Sequence, residues 1–276
     1  VALRRTIGFG EKVYLLLAKA YRAAQRNADA ERVLRELIGF FPDSETLPAA
    51  YVELSQVLDE LGRREDAVQL AAQAAQRYAN DPGVLKNNAG FLRLQKKPAE
   101  AGDMRMAAFA AGAKEPAVLL EAAKDYQDVP DYAKARQALD LLLARFPDAP
   151  ESVPGKIELA KVEYEDGDVV QAIARLEKLS SLADSTPQRL STLLTLADMC
   201  QEVGLTKKAA ECYKKVVLAS TDPELLAKAA VAMFSGGHVD DALVTARDID
   251  RTRLTPPTAF RFDMAYGKVL LRADPA

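Results

Sequence analysis

Apolar positions along this chain return at the three- and four-residue spacing of an amphipathic helix, in short blocks broken by polar turns. The block from Val13 to Tyr21 and the block from Ala30 to Ile38 predict two short helices within one segment. The pair then repeats. Alanine recurs in one local context at Ala30, Ala67, Ala101, Ala135, Ala172, Ala209 and Ala242, with steps of 37, 34, 34, 37, 37 and 33 residues. Twelve residues earlier stands a second small residue, at Ala18, Ser55, Ala89, Ala123, Ala160, Ala197 and Ala230. A large apolar residue often follows that one by three places, as at Tyr21, Leu58, Leu92, Tyr126, Cys200 and Met233. The fifth unit breaks the rule with Glu163, and Tyr164 stands beside it.

Gly62, Gly167, Gly204 and Gly237 fall between the two predicted helices, where a helix must end and glycine relieves the strain at its C-terminus. Pro42, Pro82, Pro116, Pro147, Pro187 and Pro223 mark the boundaries between units. A small residue on each helix lets two backbones approach closely while larger neighbours fill the surrounding holes. One such hairpin cannot bury its apolar faces alone, but stacked hairpins bury them against each other. The expected fold is therefore all-α, a solenoid of helical hairpins. A single globular bundle is the competing reading, and a bundle has no need of seven alanines in one register.

On these residues the chain resembles the tetratricopeptide repeat family. The first unit reads Tyr14, Leu17, Ala18, Tyr21, Ala30 and Pro42; the fourth reads Leu119, Ala122, Ala123, Tyr126, Ala135 and Pro147. The sixth reads Leu193, Leu196, Ala197, Cys200, Gly204, Ala209 and Tyr213, with Cys200 at the family's tyrosine position. The third departs at Asn88, where leucine is usual, and at Lys97-Pro98, an unusual helix start. The resemblance implies a right-handed α-solenoid. It covers about seven repeats at 11–47, 48–81, 82–115, 116–152, 153–189, 190–222 and 223–255.

Residues 1–10, with Leu3, Ile7 and Phe9, read as the tail of a preceding repeat or a flank, and 256–276 as a terminal helix or a truncated eighth repeat. That helix carries Phe260, Phe262, Met264, Tyr266, Val269, Leu270 and Leu271, apolar on more than one side, so self-association through it is a second expectation. Two longer linkers match each other: Phe41-Pro42-Asp43-Ser44 precedes Glu53-Leu54, and Phe146-Pro147-Asp148 precedes Glu158-Leu159, each phenylalanine twelve residues ahead of its pair. This ending is similar to repeats of bacterial envelope proteins, among them assembly lipoproteins and polysaccharide-export scaffolds. It tips the expected location toward the periplasm or envelope, with the cytoplasm as the alternative. The opening at Val1, without methionine or a secretory pattern, reads as a fragment or a processed product.

Composition changes this picture chiefly by subtraction. No apolar run reaches about 18 residues, so no membrane span is expected. A net charge of -3 supplies no basic field for nucleic acid. The one histidine, His238, follows Gly236-Gly237 and reads as an exposed turn residue rather than a catalytic one. Cys200 and Cys212, with eleven residues between them, lack zinc-ligand pairing and read as packed thiols. The acidic group Glu163, Glu165, Asp166 and Asp168 lacks the ligand order of a calcium loop. Lys207-Lys208 and Lys214-Lys215 read as a solvated face, and Gly8-Phe9-Gly10 lacks the rest of a phosphate-binding fingerprint. No cofactor, no metal and no enzymatic activity are expected.

What the resemblance implies instead is a groove lined by the first helix of every unit. Its residues would be Lys12, Leu15, Lys19 and Arg22, then Val52, Glu53, Gln56 and Asp59, then Lys86, Asn87 and Arg93, then Leu120, Glu121, Lys124 and Gln127. The later units would add Ile157, Glu158, Lys161 and Tyr164, then Leu194, Thr195, Asp198 and Gln201, then Lys228, Val231 and Phe234. Some family members clamp the terminal carboxylates of chaperone tails with lysines, asparagines and an arginine spread over three repeats. Here Leu15, Glu53 and Gly90 occupy positions such a clamp needs. The expected partner is a protein segment, an extended peptide or a helix, held by a non-catalytic scaffold. A polysaccharide-binding solenoid using Tyr164 and Phe234 is the alternative.

Overall fold

The computed structural model of the protein describes residues 10–182 and 186–273. Among the described residues there are fifteen α-helices, one short 3₁₀ turn and no strand. They fall into two compact units that meet in sequence between Glu151 and Ser152. Leu3, Ile7 and Phe9 lie outside the described residues, as do the side chains of Leu270 and Leu271.

The first unit contains α1 (Gly10–Ala23), α2 (Asn27–Phe40), α3 (Leu47–Glu60), α4 (Arg64–Arg77), α5 (Pro82–Leu94), α6 (Pro98–Ala110), α7 (Pro116–Gln127) and α8 (Tyr132–Arg145). The second contains α9 (Ser152–Glu165), α10 (Val169–Leu182), α11 (Thr186–Glu202), α12 (Thr206–Ala219), α13 (Pro223–Ser235), α14 (Val239–Arg247) and α15 (Pro256–Ala273). Within each unit most helices pack on the next in sequence. First helices of neighbouring hairpins also touch, as α1 does α3 and α9 does α11. The register alanines explain this packing. Ala30, Ala67, Ala101, Ala135, Ala172, Ala209 and Ala242 are all 0 % exposed, and the seven small residues twelve places earlier are buried as deeply. With only a methyl group or a hydroxymethyl at these points, the helix backbones close up and Leu58, Tyr126, Cys200 and Met233 fill the space beside them.

One turn joins the two helices of the hairpins throughout. The residue five places before the register alanine has positive φ: +78° at Gly62, +96° at Gly167, +78° at Gly204 and +82° at Gly237. The next backbone N–H then reaches back to the large residue of the first helix, as Arg63 to the Leu58 carbonyl at 2.9 Å and Leu205 to the Cys200 carbonyl at 2.8 Å. This is the six-to-one bond of a left-handed helix cap, and it sets the spacing of the two helices. Gln25 (φ 58°) and Lys96 (φ 60°) take the same place without being glycine. An L-residue there carries a steric cost of about 1–2 kcal/mol, partly offset by the entropy glycine would lose. Lys96→Gly is therefore expected to stabilise the protein by about 0.5–1 kcal/mol, and Gly62→Ala to destabilise it by about 1 kcal/mol, measured as shifts of the urea midpoint. A loss of stability in Lys96→Gly would contradict the assigned turn.

Two departures from the pattern are accommodated by specific contacts. Gly102, beside the register Ala101, sits against the Tyr126 ring, which would lie 2.8 Å from a Cβ there. Tyr126 in turn donates to Asp103 at 2.9 Å. Glu163, at the position that is apolar in most other units, is wholly buried and meets Arg175 of α10 through two bonds of 2.8 and 2.6 Å.

The terminal helix α15 packs on α13. Phe262 is buried and stacks on Tyr266 at 5.9 Å, and the Arg251 guanidinium lies 5.3 Å from both rings. Phe260 and Met264 stay 67 % and 48 % exposed, so both faces of this helix are apolar.

Candidate partner-binding face

The first helix of each hairpin carries its predicted groove residues as neighbours or at helical spacing, on one side of its surface. In the first unit these strips are bonded to each other. Arg22 of α1 reaches Glu53 at 3.0 Å, Gln56 at 2.5 Å and Glu60 at 2.7 Å on α3, and Lys19 lies 3.6 Å from Glu53. Gln56 donates to Asn87 of α5 at 3.2 Å, and Asn87 donates to Ser55 at 2.8 Å. Lys86 pairs with Glu115 at 2.5 Å and Asp59 with Arg64 at 2.8 Å. Arg93 reaches from α5 to Asp125 of α7 and, at 3.0 Å, to Asp128 just past its end. Leu15, Val52 and Gln127 are half-buried among these groups, and Leu120 belongs to the core. Lys12 and Lys124 are exposed and make no ion pair among the described residues.

The deepest charge in this unit is one that the sequence pattern did not flag. Asp125 is fully buried between Arg93 and Arg105, and Arg105 also holds Glu121 at 2.8 Å. Such a cluster holds three helices in one arrangement, because moving any member strands a desolvated charge. The available signal was Arg105 itself, a charged residue one helical turn from Ala101 on the buried face.

The second unit is built differently. Ile157 and Phe234 are buried, Phe234 against Tyr266 at 6.0 Å. Glu158 pairs with Lys161 at 3.0 Å, and Tyr164 donates to Glu202 at 2.7 Å. Thr195 bonds its own helix at Ser191, and Gln201 is half-buried. Leu194, Asp198, Lys228 and Val231 line a cavity of about 380 Å³ together with residues of α12 and α15. Its inner wall includes Tyr213, which donates to Asp198 at 2.6 Å. Burial, and then that carboxylate, push the Tyr213 hydroxyl above its ordinary range.

The remaining chemistry-bearing residues are placed as follows. His238 precedes α14, half-buried in the turn after Gly237. Lys208 pairs with Glu177 at 2.5 Å and Lys214 with Asp241 at 2.8 Å. Glu163 is in the core, while Glu165, Asp166 and Asp168 are exposed. No group of three or more metal-ligating side chains converges among the described residues, and no described helix is long and apolar enough to cross a membrane. Cys200 and Cys212 are free and buried. Burial pushes both thiols up, Cys212 from 9.0 to about 11 with Cys200 as the next cause.

A thiol pKa raised on folding favours the protonated native state, so its stabilisation is complete below pH 9 and is lost as pH rises toward 11. A rise of that size corresponds to roughly 2–3 kcal/mol. Native protein is expected to resist iodoacetamide at pH 8 while urea-unfolded protein labels at both positions, and the urea midpoint should fall between pH 9 and 11. Rapid labelling of the native state would refute this.

A family model described as tetratricopeptide repeat matches residues 12–44, which span α1, α2 and the start of the following linker. The chain carries a tetratricopeptide repeat, and its hairpins stack in the tetratricopeptide-repeat fold. A tetratricopeptide repeat protein from Parabacteroides merdae aligns with a TM-score of 0.59 and 14% identity, over 94% of this chain and 99% of its own. The pilF protein of Pseudomonas aeruginosa gives 0.52 and 18% identity, over 75% of this chain and 90% of its own. YrrB, described as a tetratricopeptide-repeat protein with an unusual peptide-binding site, gives 0.53 and 12% identity, over 70% and 94%. At these identities the likeness is one of fold. No curated protein matches the chain in sequence.

Proposed function

We propose that this tetratricopeptide-repeat chain is a non-catalytic scaffold that holds a segment of a protein partner along the first helices of its hairpins. The observation that carries the reading is the side-by-side alignment of polar strips on those helices. Cross-helix bonds such as Arg22–Glu53 and Gln56–Asn87 fix their geometry before any partner arrives. A surface rigid in advance loses little side-chain freedom on binding. The internal pairing also sets the kind of recognition: Arg22, Lys86 and Arg93 already have carboxylate partners, which leaves Lys12, Lys124 and Lys228 as the cations open to a ligand. The stacking of a sugar ring finds little support, since Phe234 is buried against Tyr266. A bacterial envelope setting, in secretion or polysaccharide export, rests on the Phe41-Pro42-Asp43-Ser44 linker ending and is tested by fractionating the cells that express the protein.

Site-specific photo-cross-linking tests the binding face. A benzophenone amino acid at Lys124 or Thr195 is expected to capture a protein partner from native lysate, and the same probe at Gln137 or Lys178 on the second helices is expected to capture none. Capture only from the second helices would overturn the reading.

A further inference from the structure

The cavity in the second unit sets two cations that form no ion pair among the described residues at an apolar opening. Its walls include Leu194 of α11 and Leu225 and Val231 of α13. Its rim carries Lys228 of α13 and Arg261 of α15, both exposed, and neither forms an ion pair among the described residues. The nearby carboxylates are hydrogen-bonded to other groups, while Glu224 also acts on Lys228 through space. Asp198 accepts the Tyr213 hydroxyl at 2.6 Å, and Glu224, one turn before Lys228, accepts the backbone N–H of Thr255. Thr258 adds a hydroxyl at the same rim.

We infer that this cavity is the anchor point of the groove and takes an aliphatic side chain of a protein segment, with one or two carboxylates beside it meeting Lys228 and Arg261. The inference rests on the scaffold reading above and specifies the chemistry of its partner. A volume of about 380 Å³ admits one large apolar side chain with part of its backbone. Burying that side chain supplies most of the binding energy, while the two rim charges choose the sign of the flanking residues and weaken with salt. In the first unit the cations are largely matched by the protein's own acids, so an acidic segment gains its charge contacts here rather than there.

The test is selection of a random dodecapeptide phage library on the intact protein, followed by binding of the enriched peptides to two variants. Lys228→Glu/Arg261→Glu reverses the rim, and Lys12→Glu/Lys124→Glu reverses exposed cations of the first unit; circular dichroism and the melting temperature establish that both fold. The expected result is enrichment of Asp or Glu next to Leu, Ile or Val. Affinity should fall roughly tenfold or more in the rim variant and change less than about twofold in the other. Enriched peptides that are basic or that ignore the rim variant would overturn the cavity assignment and leave the scaffold reading standing. No enrichment at all would count against both.

Discussion

Replacing Arg175 by methionine is expected to lower the stability of the protein by about 3 kcal/mol, measured by urea unfolding. Glu163 lies at a position where most of the other hairpins carry an apolar side chain, and it is wholly buried. Its two oxygens meet the Arg175 guanidinium in a fork at 2.8 and 2.6 Å. Removing that fork takes two charge-assisted bonds from a buried carboxylate. Glu163→Leu is expected to cost less, because the Arg175 side chain is 32 % exposed and its charge can turn to water. The double change Glu163→Leu/Arg175→Met restores the pattern of the other units and is expected to fall within about 1 kcal/mol of the parent. The three free energies form a double-mutant cycle. Equal losses in the two single variants, or simple additivity in the double one, would show that the pair is not coupled in this way.

The second large effect is expected at the register alanines. Ala135→Leu places three extra carbons at a point of zero exposure in α8 and should destabilise by about 1–3 kcal/mol. Gln137→Leu, two residues away on the exposed side of the same helix, should stay within about 0.5 kcal/mol. Propensity cannot account for such a difference, since leucine is a good helix former at both sites. Comparable losses at the two positions would mean that α8 is rotated from its assigned face.

These predictions differ in how much of their basis can be read without coordinates. The alanine register was legible because close helix approach has a local signature: a small residue every 33 to 37 positions, with its partner twelve residues earlier. The turn between the helices was legible where glycine marks it, at Gly62, Gly167, Gly204 and Gly237. It was not legible at Gln25 and Lys96, where the Gly signal is missing and only the backbone angle reveals the turn. Glu163 showed as an anomaly in the pattern, but its resolution by Arg175 did not. The expected groove residues fall on the first helices of the hairpins, yet nothing local distinguishes Arg22, whose guanidinium is taken by Glu53 and Glu60, from Lys12, which is open to solvent.

What the amino-acid order determines by itself is the hairpin: helix period, small contact residues and turn chemistry all act within a span of about one repeat. Which charges remain available to a partner is decided only by the tertiary structure. The bonds that consume them join residues about one repeat apart, such as Arg22 to Glu53 and Arg93 to Asp125, with a sequence separation of 31 and 32. Long side chains on neighbouring first helices choose among several acids within reach, and that choice depends on helix rotation and spacing to within an ångström. The same holds for the cavity at Lys228 and Arg261, which exists because α15 lies against α13 and not because of any pattern in either helix.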